Sequence, residues 1–199
     1  MAFSRLTFRL SSGLIAKEVS LKTVIRLMAT AVATMLVCAL IHPSSPASAQ
    51  TPSLQGTFTL DSAASQDIKA AVDKVADQMS FLTRSIARSR LMATNPPVSR
   101  IAISFSGKNV TIQAADSAAI TTRTDGTPID WVGEDGENVK VSTEWAGATL
   151  KRSLVNPNGM RVNTYAVDPT GNTLTLDVLI TASQLPQPLA YKLVFRRSK

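Results

Sequence analysis

The spacing of hydrophobic residues changes once along the chain, close to residue 97. Before that point, apolar residues between 65 and 92 recur every third or fourth position, which is the period of one helix face. Ser65 suits a helix N-cap, and 95–97 (Asn-Pro-Pro) ends the pattern. The segment predicts one long amphipathic helix over about 65–92, whose apolar side packs onto the rest of the fold. Its members are Ile68, Val72, Val75, Met79, Leu82 and Ile86.

Beyond residue 97, hydrophobic and polar residues alternate, which is the period of a half-buried β-strand. These segments follow one another about every ten residues, with turn residues between most of them. The pattern predicts a mainly β domain, an antiparallel meander that closes into a barrel of about eight or nine strands, with the helix after the first strand. The predicted strands are 56–60, 99–105, 109–114, 118–123, 138–145, 148–155, 160–167, 173–181 and 188–197, and 124–137 is the longest loop.

Two tight turns set the registers of the central hairpins. A two-residue turn at 158–159 (Asn-Gly) is the strongest hairpin signal in the chain. It pairs 157 with 160 and so places Arg152 opposite Tyr165. A turn at 146–147 places Val141 opposite Arg152.

Two further connections between strands set the registers of two more hairpins. The loop 169–172 places Tyr165 opposite Leu176, and a turn at 107–108 places Phe105 opposite Val110. The registers agree on one largely apolar face, and that face is expected to point into the barrel. On the strands from 138 to 181 it comprises Val139, Val141, Thr143, Trp145, Leu150, Arg152, Leu154, Asn163, Tyr165, Val167, Leu174, Leu176, Val178 and Ile180.

The N-terminal 49 residues have the three parts of a secretory signal peptide. A basic start is followed by an apolar run over 27–41 and by a small-residue exit at 47–49 (Ala-Ser-Ala). Cleavage after Ala49 would leave 50–199 as a single domain in the periplasm or outside the cell. The alternative, a membrane anchor, would need a longer apolar run of about 20 residues, so no membrane span is expected after cleavage.

Composition narrows the chemistry of residues 50–199. The only cysteine, Cys38, and the only histidine, His42, lie in the leader, which excludes thiol, imidazole and zinc chemistry from the domain. The leader also carries five of the basic residues and one acid, so the net charge falls from +7 for the chain to +3 for the domain. That charge is too small to indicate nucleic-acid binding. No cofactor, no metal and no catalytic residue is predicted.

Arg152 is the polar exception on the inward face. A buried guanidinium is costly unless it is paired or hydrated. One interpretation is an anion clamp, in which Arg152, Tyr165 and Asn163 hold the carboxylate or phosphate head of an amphipathic ligand. The predicted ligand-binding residues that complete this site are Val141, Leu154, Leu176 and Trp145. The alternative is that Arg152 reaches the barrel rim or pairs with an acid such as Glu144.

The two ends of the domain resemble the lipocalin/calycin group of ligand-binding barrels. Members of that group open with a Gly-x-Trp strand and pack a basic residue of the final strand over the Trp. Here 56–58 (Gly-Thr-Phe) has Phe58 in place of the Trp, and the final strand offers Arg196 or Arg197. Fatty-acid-binding relatives place two helices just after the first strand, close to the helix position here. The resemblance implies an interior pocket for a small apolar ligand.

These observations leave three functional hypotheses. The first is an exported barrel that binds an apolar or amphipathic anionic, lipid-like molecule. The second is a non-catalytic envelope protein with a filled core that contacts an unknown protein partner, through the 124–137 loop with Trp131 or through Arg84, Arg88 and Arg90. The third is a carboxylate-based hydrolase built on the acids of that loop. Acids clustered in a loop are usually solvated, so an enzyme is not expected.

Overall fold

The computed structural model describes residues 53–115, 117–133 and 136–198, which hold ten β-strands and two α-helices. The predicted leader, 1–49, lies outside the described residues, as do Glu134 and Asp135 of the acidic loop. The helices are α1 (Ile68–Ala76) and α2 (Phe81–Thr94). The strands are β1 (Gly56–Leu60), β2 (Arg100–Ser106), β3 (Asn109–Ala114), β4 (Ile120–Arg123), β5 (Ile129–Val132), β6 (Asn138–Ala146), β7 (Thr149–Asn156), β8 (Gly159–Val167), β9 (Thr173–Ala182) and β10 (Leu189–Arg197).

All ten strands belong to one antiparallel sheet that curls into a nearly closed barrel. The strand order is β4-β3-β2-β1-β10-β9-β8-β7-β6-β5, so the first and last strands lie side by side. The two ends of the sheet meet where β4 lies against β6. There the hydroxyl of Thr122 donates to that of Thr143 at 2.7 Å, and an isolated bridge joins Asp125 to Glu144. We call this junction of β4 and β6 the seam.

Alternation along each strand decides what fills the barrel. On β10, Leu189 and Phe195 are buried, whereas Lys192 lies in solvent. Inward residues of this kind from β1–β3 and β7–β10 form one contiguous apolar cluster. Val72 and Val75 of α1 join it from one end of the barrel, so the helix buries its apolar side as the sequence predicts.

The opposite end of the barrel is closed by Arg197. Its guanidinium carbon lies 4.5 Å from the centre of the Phe58 ring, and its nitrogens donate to three backbone carbonyl oxygens at 2.6–2.7 Å. Gly56 has a φ of +145°, and a Cβ there would lie 2.2 Å from Nη1 of Arg197. A basic residue of the last strand therefore covers residue 58 as expected, and the glycine makes room for it.

The helical region differs from the single helix predicted over 65–92. The chain breaks between Ala76 and Phe81, and α1 begins after Asp67, which accepts from the Lys69 amide at 2.8 Å. Ser65, the predicted N-cap, instead accepts from the amide of Val194 at 2.9 Å. The apolar stripe keeps its spacing across the break, so periodicity alone does not reveal it.

The second half of the predicted apolar stripe faces solvent. Leu82 is 81% exposed and Ile86 is 56% exposed, because α2 turns back along α1 instead of continuing it. Arg88 holds this turn by bonding Asp73 at 2.5 Å and Asp77 at 3.2 Å. Arg84 and Arg88 of α2 therefore pair with Asp73 and Asp77, whereas Arg90 is exposed.

The predicted strand set is correct except for one omission. The loop 124–137 contains β5, a four-residue strand that carries Trp131 and pairs with β6. The barrel therefore has ten strands instead of eight or nine. A segment this short shows too few alternating positions to stand out from its turn residues.

Two hairpin registers differ from the prediction by two residues. Arg152 lies opposite Asn163 on β8 and opposite Thr143 on β6. The hairpin turn between β7 and β8 is at 157–158 instead of 158–159, because Asn156 pairs with Gly159. A shift of two keeps every side chain on the same face, so the predicted inward face survives. The registers that the loop 169–172 and the turn 107–108 predict are confirmed.

Candidate functional site

Arg152 lies inside the barrel beside the seam. It comes from the inward face of β7 and is 3% exposed. Its Nε donates to the hydroxyl of Thr143 at 3.0 Å, and its Nη2 donates to the carbonyl of Ile120 at 3.1 Å and the hydroxyl of Thr122 at 3.3 Å. Arg152 therefore links β7 to both strands of the seam.

The charge of Arg152 has no protein counter-ion among the described residues. No carboxylate oxygen of these residues lies within 4.0 Å of its nitrogens. Glu144, which the sequence offered as a partner, lies outside the barrel, 3.8 Å from Lys151. Burial lowers the pKa of Arg152, and Tyr165 acts in the opposite direction. The side chain still carries its charge at neutral pH, because arginine does not lose its proton in proteins.

A second polar group adjoins Arg152 across the β7–β8 ladder. Asn163, opposite Arg152, donates through Nδ2 to the Tyr165 hydroxyl at 3.4 Å and accepts through Oδ1 from Nε of Arg161 at 3.0 Å. Burial raises the pKa of Tyr165, and Arg152 partly offsets that rise. The phenol is therefore neutral at physiological pH and can donate a hydrogen bond.

Arg161 connects this group to the helices. Its Nη2 donates to the Tyr191 hydroxyl at 3.2 Å, and its Nη1 donates to Oδ1 of Asn95 at 3.0 Å. The Tyr191 hydroxyl donates to the same Asn95 oxygen at 2.9 Å. Asn95 is the C-cap of α2 and is buried. As with Arg152, no carboxylate of the described residues pairs with Arg161. We call Arg152, Arg161, Asn163, Tyr165 and Tyr191 the interior polar cluster.

Sequence reasoning found part of this cluster and missed the rest. Arg161 precedes Asn163 by two positions, so the alternation that put Asn163 inside places Arg161 inside as well. Tyr191 follows Leu189 by two positions on β10 and has the same signal. Asn95 gave no such signal, since its sequence context marks only the end of a helix.

The remaining predicted site residues are spread along the barrel. Val141 and Leu176 are buried in the interior, and Leu154 is half-buried beside Arg161. Trp145 is 46% exposed at the end away from the helices, where its ring stacks on Phe105 with 5.7 Å between centroids. The structure therefore brings Arg152, Asn163 and Tyr165 together and leaves Trp145 at the far rim.

A separate groove of about 280 Å³ lies on the outer face of β1–β3. Its lining includes Thr57, Ser104 and Gln113, which alternate with the buried residues of those strands. None of the seven predicted site residues lines it. Among the described residues, no helix is long and apolar enough to cross a membrane.

No protein-family model matches the sequence, and no curated protein matches it either. Several solved structures are similar to the chain. An abundant heat soluble (SAHS) protein of Ramazzottius varieornatus aligns with a TM-score of 0.52 and 11% identity, covering 73% of this chain and 95% of that one. Human cRBP IV aligns with a TM-score of 0.48 and 21% identity, covering 73% and 98%.

A Schistosoma mansoni fatty acid binding protein, solved with arachidonic acid, aligns with a TM-score of 0.47 and 20% identity, covering 76% of this chain and 99% of that one. At these identities the likeness concerns the fold. The alignment with the SAHS protein, whose TM-score exceeds 0.5, agrees with the predicted barrel fold.

Proposed function

We propose that residues 50–199 form an exported, non-catalytic barrel that binds a small amphipathic anion in its interior. The head group lies against Arg152, Tyr165 and Asn163. The tail extends along the inward face of the barrel toward the Phe105–Trp145 stack, over Val141 and Leu176. The ligand class is a carboxylate or phosphate on an apolar chain.

One observation carries this proposal: the inward face of the barrel holds two arginines without a carboxylate partner among the described residues, Arg152, which is buried, and Arg161, which is half-buried. Arg152 and Arg161 bond only to hydroxyl, amide and carbonyl oxygens. Removing a cation from water costs several kcal/mol, and neutral acceptors return only part of it. An anionic head group would supply the missing charge and would bond the guanidinium more strongly than a neutral oxygen does.

The chemistry of the cluster favours binding over catalysis. Its members are arginine, asparagine and tyrosine, and the tyrosine pKa values are raised by burial, so no group in it is a general base near neutral pH. Of the acids proposed for a hydrolase, the described ones, Asp125, Asp130 and Glu137, are exposed. Asp125 is held by the guanidinium of Arg123 at 2.6 Å, and Asp130 pairs with Lys140 at 2.8 Å.

The second candidate function, a surface role with a filled core, is favoured by a different observation. The inward side chains of β1–β3 and β7–β10 form one contiguous apolar cluster, and the only groove described above lies outside the barrel. In that case α2, with Phe81 and Leu82 in solvent, is the surface for a protein partner.

Export belongs to the proposal because the leader has the pattern of a cleaved signal peptide. Cleavage after Ala49 would release a chain that begins with Gln50. The N-terminal sequence of protein recovered from the periplasm or medium tests this, and retention of residues 1–49 would contradict it.

The binding proposal is tested by offering two probes of equal chain length, dodecanoate and 1-dodecanol, to purified protein in native mass spectrometry. We expect a complex with dodecanoate and a weaker one with dodecanol. Arg152→Met and Tyr165→Phe should weaken dodecanoate binding and leave dodecanol binding unchanged. Arg90→Met, on the exposed face of α2, is the matched control. Equal binding of dodecanoate and dodecanol by the wild-type protein would exclude the clamp. Equal binding of dodecanoate by the wild type and all variants would exclude it as well.

A further inference from the structure

The side chain of Asn95 attaches the C-terminal end of α2 to the barrel. Asn95 is buried, and its Oδ1 accepts from both Arg161 and Tyr191, at 3.0 and 2.9 Å. Its Nδ2 donates to the carbonyl of Leu91 at 2.8 Å, which ties this attachment to the last turn of the helix. The oxygen of Asn95 thus lies where two interior donors converge.

Few other contacts hold α2 against the barrel, among them a long bond of 3.5 Å from Nη1 of Arg161 to the carbonyl of Thr94. None of its residues is buried, and only Leu91 and Met92 pack partly against the core cluster. Its N-terminal half exposes Phe81 and Leu82, and its Arg88 pairs with Asp73 of α1 instead of the barrel. Elements with so few buried contacts open with small free energies.

Arg161 and Tyr191 form a pair of donors that suits an anion better than an amide. The guanidinium has no carboxylate partner among the described residues, and a carboxylate accepts a stronger hydrogen bond from it than the neutral oxygen of Asn95 does. The Tyr191 phenol stays protonated because burial raises its pKa. An anion at this position would therefore displace Asn95.

We propose that the Asn95 side chain occupies a second position for an anionic head group, so that an anion binding at Arg161 and Tyr191 releases the C-terminal end of α2. This inference rests on the proposed function, since it needs an anionic amphiphile in the barrel. It adds a second head-group position, at the helix-covered end, and makes α2 a lid whose latch is Asn95. The anion that enters is the group that opens the lid.

Amide hydrogen exchange of the segment 88–98 tests the latch. In the wild-type protein, saturating dodecanoate should speed exchange of the last turn of α2 by about tenfold, the factor expected for loss of one hydrogen bond of this kind. Dodecanol, which lacks the charge, should leave exchange unchanged. Tyr191→Phe and Arg161→Met should raise exchange without ligand, and dodecanoate should then add little.

The outcomes separate the two proposals. Binding of dodecanoate by native mass spectrometry with unchanged or slower exchange in 88–98 would overturn the latch and leave the binding function intact. Absence of dodecanoate binding would overturn both. Arg90→Met serves as the control variant on the same helix and should behave like the wild type in every arm. The wild-type comparison of ligand-free and ligand-bound protein needs no variant to fold.

Discussion

Arg152 Nη2 donates to the hydroxyl of Thr122 at 3.3 Å, across the seam between strands that share no backbone ladder. The same guanidinium bonds Thr143 on the other side of the seam. A single buried cation therefore bridges the two ends of the sheet. This placement gives Arg152 two roles that experiment can separate, one in closing the barrel and one in binding an anion.

Arg152→Met is expected to change the free energy of unfolding by less than about 2 kcal/mol, because it removes the desolvation cost of the guanidinium together with its hydrogen bonds. The bond between Thr122 and Thr143 remains in this variant. Thr122→Val should cost about 1–3 kcal/mol, since it leaves a buried charge with one acceptor fewer. Urea unfolding compares the two. A much larger loss in Arg152→Met than in Thr122→Val would identify Arg152 as a structural clamp of the seam alone.

Tyrosine titration reports directly on the interior polar cluster, because Tyr165 and Tyr191 are the two tyrosines of the chain. Burial raises the pKa of both. The midpoint of the rise in tyrosinate absorbance should therefore lie at a higher pH than the ordinary tyrosine pKa of about 10. When the pKa of a group is higher in the folded protein than in the unfolded chain, its contribution to stability is fully present at pH values below the unfolded-state pKa. That contribution is lost as the pH rises through the folded-state pKa. Stability should therefore fall in the alkaline range. Titration of either phenol at the value of free tyrosine in folded protein would show that it is hydrated.

Two adjacent arginines of β10 provide a matched test of the closed end. Arg197→Met removes three bonds to backbone carbonyls and the contact with the Phe58 ring, and should lower the free energy of unfolding by about 2–3 kcal/mol. Arg196→Met breaks an exposed pair with Asp61 and should cost much less. Thermal unfolding measures both. Equal losses of stability in the two variants would mean that the contact of Arg197 with Phe58 does not stabilise the barrel.

The difference in burial between the α1 and α2 halves of the apolar stripe can also be tested by its effect on stability. Val72→Ala removes buried methyl groups and should cost about 2 kcal/mol. Leu82→Ala should alter stability by no more than about 0.5 kcal/mol, because its side chain lies in solvent. Chemical unfolding of the two variants is the comparison. A large loss in Leu82→Ala would show that α2 packs against the barrel in solution.

Alternation and turn chemistry predicted most of the barrel, and the reason is physical. A strand with one buried face must place every second residue inside, so an error of two residues in a turn leaves the inward set unchanged. This is why Arg152 and Tyr165 were found on the same face although the predicted pairing between them was wrong. The same rule places Arg161 inside, although the predicted inward set did not include it.

The remaining features depend on contacts that no local pattern contains. The break between α1 and α2 is held by Arg88, which reaches back to Asp73 and Asp77 on the preceding helix. The bonds of Arg152 cross the seam to residues about 30 positions earlier in the chain, which only the closure of the barrel brings near. Asn95 and Tyr191, which are bonded to each other, lie 96 positions apart in the chain.

In the proposed complex, an anionic head group lies against the buried guanidinium of Arg152. The most direct measurement is the carbon NMR signal of dodecanoate labelled at its carboxyl carbon, followed as pH falls in the presence of the protein. We predict a bound signal whose carboxyl pKa is below that of free dodecanoate, because a guanidinium favours the charged form, and loss of that signal in Arg152→Met. A bound carboxyl that titrates like the free acid, in wild type and variant alike, would contradict the account.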